Sequence, residues 1–145
     1  MEEAYYQTVE KEVFTTRGFR ILVVDDEPSV RRAIRMLLEH SGHQIWEADG
    51  GAAALRQLTD HSFDLVITDY LMPGMNGDQL VARIRKLLPA QSIILATAFP
   101  EEFQTLGDPA GKVDALLIKP FTLTELHAAI QQVLTRPPLS RPNFI

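Results

Sequence analysis

The chain has 145 residues, of which 46% are hydrophobic, and this size and composition suit one compact domain with its own core. Its 14 basic and 19 acidic residues give a net charge of −5 without a basic block, which argues against nucleic-acid binding by this chain alone. The lack of cysteine excludes disulfides and thiolate metal sites, and the lack of a long apolar run or a signal-peptide pattern predicts a cytoplasmic protein.

Short apolar runs recur along the chain and predict β-strands. The run at 43–48 is more polar than the others, which suits a strand at the edge of a sheet. The others are too uniformly apolar for half-exposed strands, so we expect them to be covered on both faces; they lie at residues 20–24, 65–68, 92–97 and 115–118.

Helical patterns separate the predicted strands. A shorter helix is expected at 51–58, and at most a short one near 101–106, because glycine and proline interrupt the residues that follow. The other helices carry apolar stripes at helical spacing that we expect to be buried, comprising Val30, Ile34, Leu37 and Leu38, then Leu80, Ile84, Leu87 and Leu88, then Leu123, Leu126, Ile130, Val133 and Leu134.

Strands that alternate with helices predict an α/β fold. Right-handed crossovers between successive strands give a doubly wound, five-stranded parallel sheet with helices on both faces. In such sheets ligands bind at the carboxyl ends of the strands, beside the point where the strand order reverses. The residues that follow each predicted strand are therefore the candidates for function.

Polar side chains follow four of the predicted strands: Asp25 and Asp26, then Asp69, Thr97 and Lys119. We expect them to meet on one edge of the sheet, where three carboxylates would repel one another. A divalent cation and the lysine would relieve that repulsion, and oxygen ligands without histidine or cysteine favour Mg²⁺. Taken singly, these residues have ordinary explanations, and we expect Asp25 or Asp26 also to cap the helix that begins at Pro28.

The motifs "VVDDE", "ITDYLMPGMNG", "LATA" and "IKPF" resemble, in order and spacing, the signature of the receiver domains of two-component response regulators. The resemblance extends over roughly residues 19–135. It implies a flavodoxin-like strand order of 2-1-3-4-5. It also implies a signalling switch, not an enzyme in the usual sense, that catalyses only its own phosphotransfer and autodephosphorylation.

The resemblance implies a phosphoacceptor and a metal site. Asp69 would be the carboxylate nucleophile that takes a phosphoryl group from a phosphohistidine of a sensor histidine kinase or phosphotransfer protein. Asp25 and Asp26 would bind Mg²⁺ together with Asp69 and the backbone carbonyl of Leu71. A change in the protein-interaction surface would then reach a downstream protein or an output domain.

Other positions would bind the phosphoryl group, again by resemblance. The Thr97 hydroxyl would donate to its oxygens, Ala98 would leave room for its entry, and Lys119 would neutralise its charge. A cis peptide bond at Pro120 would aim the lysine. Dephosphorylation would be tuned by the residues two positions after the phosphoacceptor and two after the threonine, which here are Leu71 and Phe99.

Further expectations concern the chain ends and a histidine pair. Residues 1–18 read as an N-terminal extension, 19–135 as the receiver domain and 136–145 as a proline-rich tail or linker. His40 and His43 are spaced as a metal-ligand pair, but no further ligand is near in sequence, so we expect surface histidines.

Two rival functions remain at this point, and a third is disfavoured. A receiver fold could serve as a constitutive protein-interaction module without phosphorylation. A haloacid-dehalogenase-like phosphatase would need a second aspartate two residues after its nucleophile, where this chain has Leu71. A dinucleotide-binding domain is disfavoured because "DDEPSV" stands where a glycine-rich loop should follow the first strand.

Overall fold

The structure is a computed structural model that describes residues 18–101 and 113–135. The proposed tail, the extension up to residue 17 and all but the start of the short helix expected near 101–106 lie outside these residues. The described strands are β1 Arg20–Val24, β2 Gln44–Ala48, β3 Leu65–Asp69, β4 Ile93–Thr97 and β5 Ala115–Ile118. The described helices are α1 Pro28–His40, α2 Gly51–Asp60, α3 Gly77–Leu87 and α4 Leu123–Leu134.

The five strands form one parallel sheet in the order β2-β1-β3-β4-β5, which confirms the expected fold class and order. The more polar β2 lies at an edge, as its sequence predicted. In register, Val24 pairs with Thr68, Asp69 with Ala96, and Thr97 with Ile118. The carboxyl ends of β1, β3, β4 and β5 are therefore level with one another.

Helices cover both faces of the sheet. Alternate residues of β1 point to opposite faces, with Leu22 and Val24 in one apolar cluster and Ile21 and Val23 in the other. The first cluster includes residues from α2 and α3, and the second includes residues from α1 and α4. Burial on both faces explains why the central strands are apolar over most of their length.

Some residues of the predicted buried set are exposed. Leu87 is 62% exposed and Leu88 37%, because α3 ends at Leu87 and its last turn projects beyond the core. Leu37 and Leu123 are also exposed, since the apolar stripes are wider than the faces that α1 and α4 bury. The prediction that β5 is covered on both faces is wrong at Ile118, which is 52% exposed because β5 forms the second edge of the sheet.

The expectation of two surface histidines holds for His40 and is wrong for His43. Gly42, at φ +92°, reverses the chain direction after α1, and this turn places His43 next to Phe19, the residue before β1. His43 is buried, accepts a hydrogen bond at Nδ1 from the Phe19 N–H at 3.1 Å, and stacks on the Phe19 ring. Among the described residues, no helix is long and apolar enough to span a membrane.

Candidate functional site

Three carboxylates meet at the carboxyl edge of the sheet, as the sequence predicted. Asp25 and Asp26 directly follow β1, and Asp69 is the last residue of the neighbouring β3. One carboxylate oxygen from each lies within 4.8 Å of the others. Asp25 is only 3% exposed, so its charge needs partners within the protein.

Those partners fix the Asp25 carboxylate on both of its oxygens. Oδ1 accepts a hydrogen bond from the Glu27 N–H at 2.9 Å, and Oδ2 lies 3.3 Å from Lys119 Nζ.

The expectation that Asp25 or Asp26 caps α1 is wrong, because the N-cap residue is Glu27 and no side chain caps this helix. Pro28 at the first helical position removes one N–H that would need a cap, which explains how the helix begins without one.

The carboxylate of Asp69 is half-buried beside Lys119. Its Oδ1 accepts a hydrogen bond from the Tyr70 N–H at 2.9 Å and lies 3.2 Å from Lys119 Nζ, whereas Oδ2 has no hydrogen bond to the described residues. Burial raises the pKa of Asp69; the charge of Lys119 opposes this and that of Asp25 adds to it. The environment therefore disfavours the ionised form of Asp69, and a further cation would relieve this effect.

Lys119 bridges the two strands that carry the carboxylates. It follows β5, and its N–H donates to the Thr97 carbonyl at 2.8 Å. Burial acts to lower its pKa, but Asp69 and Asp25 outweigh burial and raise it, so the ammonium is held charged. The peptide bond between Lys119 and Pro120 is cis, which is the configuration that the resemblance implied.

Thr97 ends β4 beside Asp69, whose strand partner is Ala96. It is buried, and its hydroxyl oxygen accepts a hydrogen bond from the Phe99 N–H at 2.9 Å. A hydroxyl that accepts one bond keeps its own proton for donation. The next residue, Ala98, is exposed.

Two apolar side chains are exposed on the loops that leave the site. Leu71, two residues after Asp69, is 45% exposed, and Phe99, two residues after Thr97, is 51% exposed. Both lie on loops at the carboxyl edge of the sheet, where their sequence positions predicted them. Neither side chain offers a hydrogen-bonding group to water.

The donor set fits Mg²⁺. All three side-chain ligands are carboxylates, and a small hard cation prefers oxygen and retains several waters when only a few ligands bind it. The cluster has three acidic groups against the single ammonium of Lys119. Asp25, Asp26 and Asp69 are therefore the residues that could hold the ion.

Two features of the site were missed by sequence reasoning. Gly77 starts α3 against the end of β3: its N–H donates to the Tyr70 carbonyl at 2.7 Å, and an added Cβ would lie 2.4 Å from the Asp69 carbonyl oxygen. The glycine-rich turn "PGMNG" was the available signal. Arg31 donates to the Asp25 carbonyl at 2.7 Å, and nothing in its sequence position indicated this contact.

Comparisons with known proteins found a matching family model and several similar proteins. The family model described as "Response regulator receiver domain" matches residues 21–131. The transcriptional regulatory protein ResD of Bacillus subtilis is 35% identical over 121 residues, which are 83% of this chain and 50% of ResD. The chemotaxis protein CheY-3 of Vibrio cholerae is 34% identical over 131 residues, covering 86% of this chain and 98% of CheY-3.

A solved structure has the same fold. The response regulator TrrA of Thermotoga maritima, in complex with Mg(2+)-BeF, superposes with a TM-score of 0.73 at 35% identity, covering 79% of this chain and 98% of TrrA. The chain spans about half the length of several curated relatives it matches, ResD among them, and nearly all of CheY-3.

Proposed function

Because this chain belongs to the family of response regulator receiver domains, we propose that it is a phosphorylation-controlled switch whose phosphoacceptor is Asp69. The observation that supports this most strongly is the placement of Lys119 Nζ, at 3.2 Å from Asp69 and 3.3 Å from Asp25. One ammonium thus faces both the proposed nucleophile and a proposed metal ligand. We take residues 19–135 as the receiver domain, with 1–18 as an extension and 136–145 as a tail or linker.

In the proposed reaction, an oxygen of Asp69 attacks the phosphorus of a phosphohistidine on a sensor histidine kinase or phosphotransfer protein. The new O–P bond forms as the N–P bond of the donor breaks. Oδ2 suits this role because Oδ1 already receives the Tyr70 N–H and the Lys119 ammonium. Lys119 and the Thr97 hydroxyl then bind the phosphoryl oxygens, and the small side chain of Ala98 leaves room for entry.

Mg²⁺ is the proposed cofactor, and when bound it would neutralise charge on the transferred group. Asp25, Asp26, Asp69 and the backbone carbonyl of Leu71 are its proposed ligands. The raised pKa of Asp69, caused first by burial and further by the charge of Asp25, supports a cation here.

We further propose that Leu71 and Phe99 slow autodephosphorylation. Water must attack the phosphoryl group on the side opposite Asp69, and two exposed apolar side chains can neither orient that water nor assist its deprotonation. The signal would pass to a downstream protein or an output domain through a change in the protein-interaction surface. A constitutive interaction module remains the alternative, but it gives no reason for the ammonium between Asp25 and Asp69.

The proposal is tested by incubating the full chain with a small-molecule phosphodonor such as acetyl phosphate, with Mg²⁺ or with a chelator, and measuring its intact mass. We expect one phosphoryl group to be added with Mg²⁺ and little without it. Absence of phosphorylation in the presence of Mg²⁺ would favour the constitutive module.

A further inference from the structure

A side chain outside the acidic cluster contacts the backbone of a proposed metal ligand. Arg31, in the first turn of α1, donates from Nη1 to the carbonyl oxygen of Asp25 at 2.7 Å. Its Nε lies 3.2 Å from Oε1 of Glu47, on the edge strand β2. The guanidinium thus connects the loop after β1 to a different strand.

The contact completes the hydrogen bonding of Asp25. The Asp25 N–H donates to the Ala48 carbonyl at 3.1 Å, and the two carboxylate oxygens take the Glu27 N–H and Lys119. Arg31 satisfies the remaining group, the main-chain carbonyl. Arginine suits the position because its donors are spread over a rigid planar fork, whereas a lysine ammonium has all its donors on one nitrogen.

Glu47 is itself fixed at both oxygens. Oε2 accepts a hydrogen bond from Arg35 Nη1 at 2.8 Å, and this bond leads the causes that lower the pKa of Glu47. The Arg31 and Glu47 side chains are only 16% and 23% exposed, so their pairing is screened less than a fully exposed one. Arg35 shares Glu47 with Arg31, but its own side chain is 45% exposed, and among the described residues it pairs with Glu47 and Glu39.

We infer that Arg31 is a positioning residue for Mg²⁺ binding, which holds the backbone of Asp25 in place while Glu47 orients its guanidinium. The inference rests on the proposed function, because it assumes that Asp25 binds the ion. Groups that orient metal ligands without touching the metal commonly affect affinity by about 10- to 100-fold. By positioning Asp25, Arg31 would strengthen Mg²⁺ binding, whereas its positive charge repels a cation and would weaken binding. The two effects therefore differ in sign.

The difference in sign gives the test. Mg²⁺ affinity is measured by calorimetric titration of the metal-free full chain for wild type, Arg31→Ala, Arg31→Lys and Arg35→Ala. If Arg31 acted only through its charge, Arg31→Ala would bind Mg²⁺ more tightly. As a positioning residue, its loss should weaken binding by about tenfold, near the lower end of the range for such groups.

Arg35→Ala is the matched control. Like Arg31→Ala, it removes a positive charge that pairs with Glu47, but it leaves the contact between Arg31 and Asp25 in place. We expect its Mg²⁺ affinity to stay close to that of wild type, because Arg35 pairs with Glu39 and Glu47 and not with a proposed metal ligand. Arg31→Lys keeps the charge and should still weaken binding, which covers the case in which Arg31→Ala does not fold.

The inference would be overturned if the folded Arg31 variants bound Mg²⁺ as tightly as wild type or more tightly. It would also be overturned if Arg35→Ala lost affinity to the same extent, because a general loss of stability would then explain both. Failure of wild type to bind Mg²⁺ at all would instead refute the proposed metal site.

Discussion

Replacing Gly77 by serine should destabilise the protein through a clash at the carboxyl end of β3. A Cβ at Gly77 would lie 2.4 Å from the Asp69 carbonyl oxygen, 2.9 Å from the Tyr70 Cα and 2.9 Å from a Leu95 methyl group. The first distance is about 1 Å short of the 3.4 Å at which ordinary van der Waals contact begins. Two of the three contacts are with backbone atoms, so the start of α3 must move away from β3.

Overpacking of this kind costs about 1–3 kcal/mol. For a domain of this size, each kcal/mol corresponds to about 4 °C in Tm, so we expect a loss of about 4–12 °C. The control is Gly50→Ser, at the N-cap of α2, where an added Cβ would meet nothing within 4 Å and serine is a favourable cap. Thermal unfolding followed by circular dichroism measures both variants. Equal Tm values for Gly77→Ser and Gly50→Ser would refute the close approach.

Four further predictions concern the site and one buried histidine. Asp69→Asn should abolish phosphorylation of the folded protein. Burial raises the pKa of Asp69 in the folded protein. The folded chain therefore loses stability as the pH rises from the pKa of the unfolded chain, about 3.9, through the folded-state pKa. The substitution removes this loss and should raise the Tm of the metal-free protein at pH 7. Mg²⁺ at about 100 times its Kd should stabilise wild type by about 2.7 kcal/mol, and Asp26→Ala should lose most of this stabilisation. Thermal unfolding of both proteins with and without the ion measures the difference. The Leu71→Asn, Phe99→Glu double variant should lose phosphate faster than wild type after donor removal, and unchanged or slower decay would rule out shielding by these side chains. Burial lowers the pKa of His43 in the folded protein. The contribution of His43 to stability is therefore complete above the pKa of the unfolded chain, about 6.5, and is lost as the pH falls below that value. The Tm of His43→Gln should fall less than that of wild type between pH 7 and 5.5, and an equal fall would exclude this contribution of His43.

The sequence was sufficient to predict that the polar residues after the strands meet at one edge of the sheet. Fully apolar runs predict buried parallel strands, and the ends of parallel strands lie on one edge, so Asp25, Asp69, Thr97 and Lys119 were expected together before their distances were known. The structure brings the carboxylates of both Asp25 and Asp69 into contact with the ammonium of Lys119.

Side-chain directions and element ends were not predictable in the same way. A periodic pattern predicts a buried helical face wherever apolar residues continue at the right spacing, whereas the core ends where the sheet ends. Leu87 is exposed for this reason. The turn at Gly42 buries His43, although its neighbours are polar. The bond from Arg31 to the Asp25 carbonyl depends on how α1 leaves the first loop, and no residue pattern encodes that angle.

Whether Asp69 receives the phosphoryl group is tested by locating that group in the chain. The protein is phosphorylated with a small-molecule phosphodonor and Mg²⁺, the acyl phosphate is reduced with borohydride to a stable product, and the digested peptides are sequenced by mass spectrometry. We predict modification at Asp69 in the peptide containing "LVITDYLMPGMNG", with Asp25 and Asp26 unmodified. Modification at Asp25 or Asp26, or at a residue outside the acidic cluster, would contradict the account.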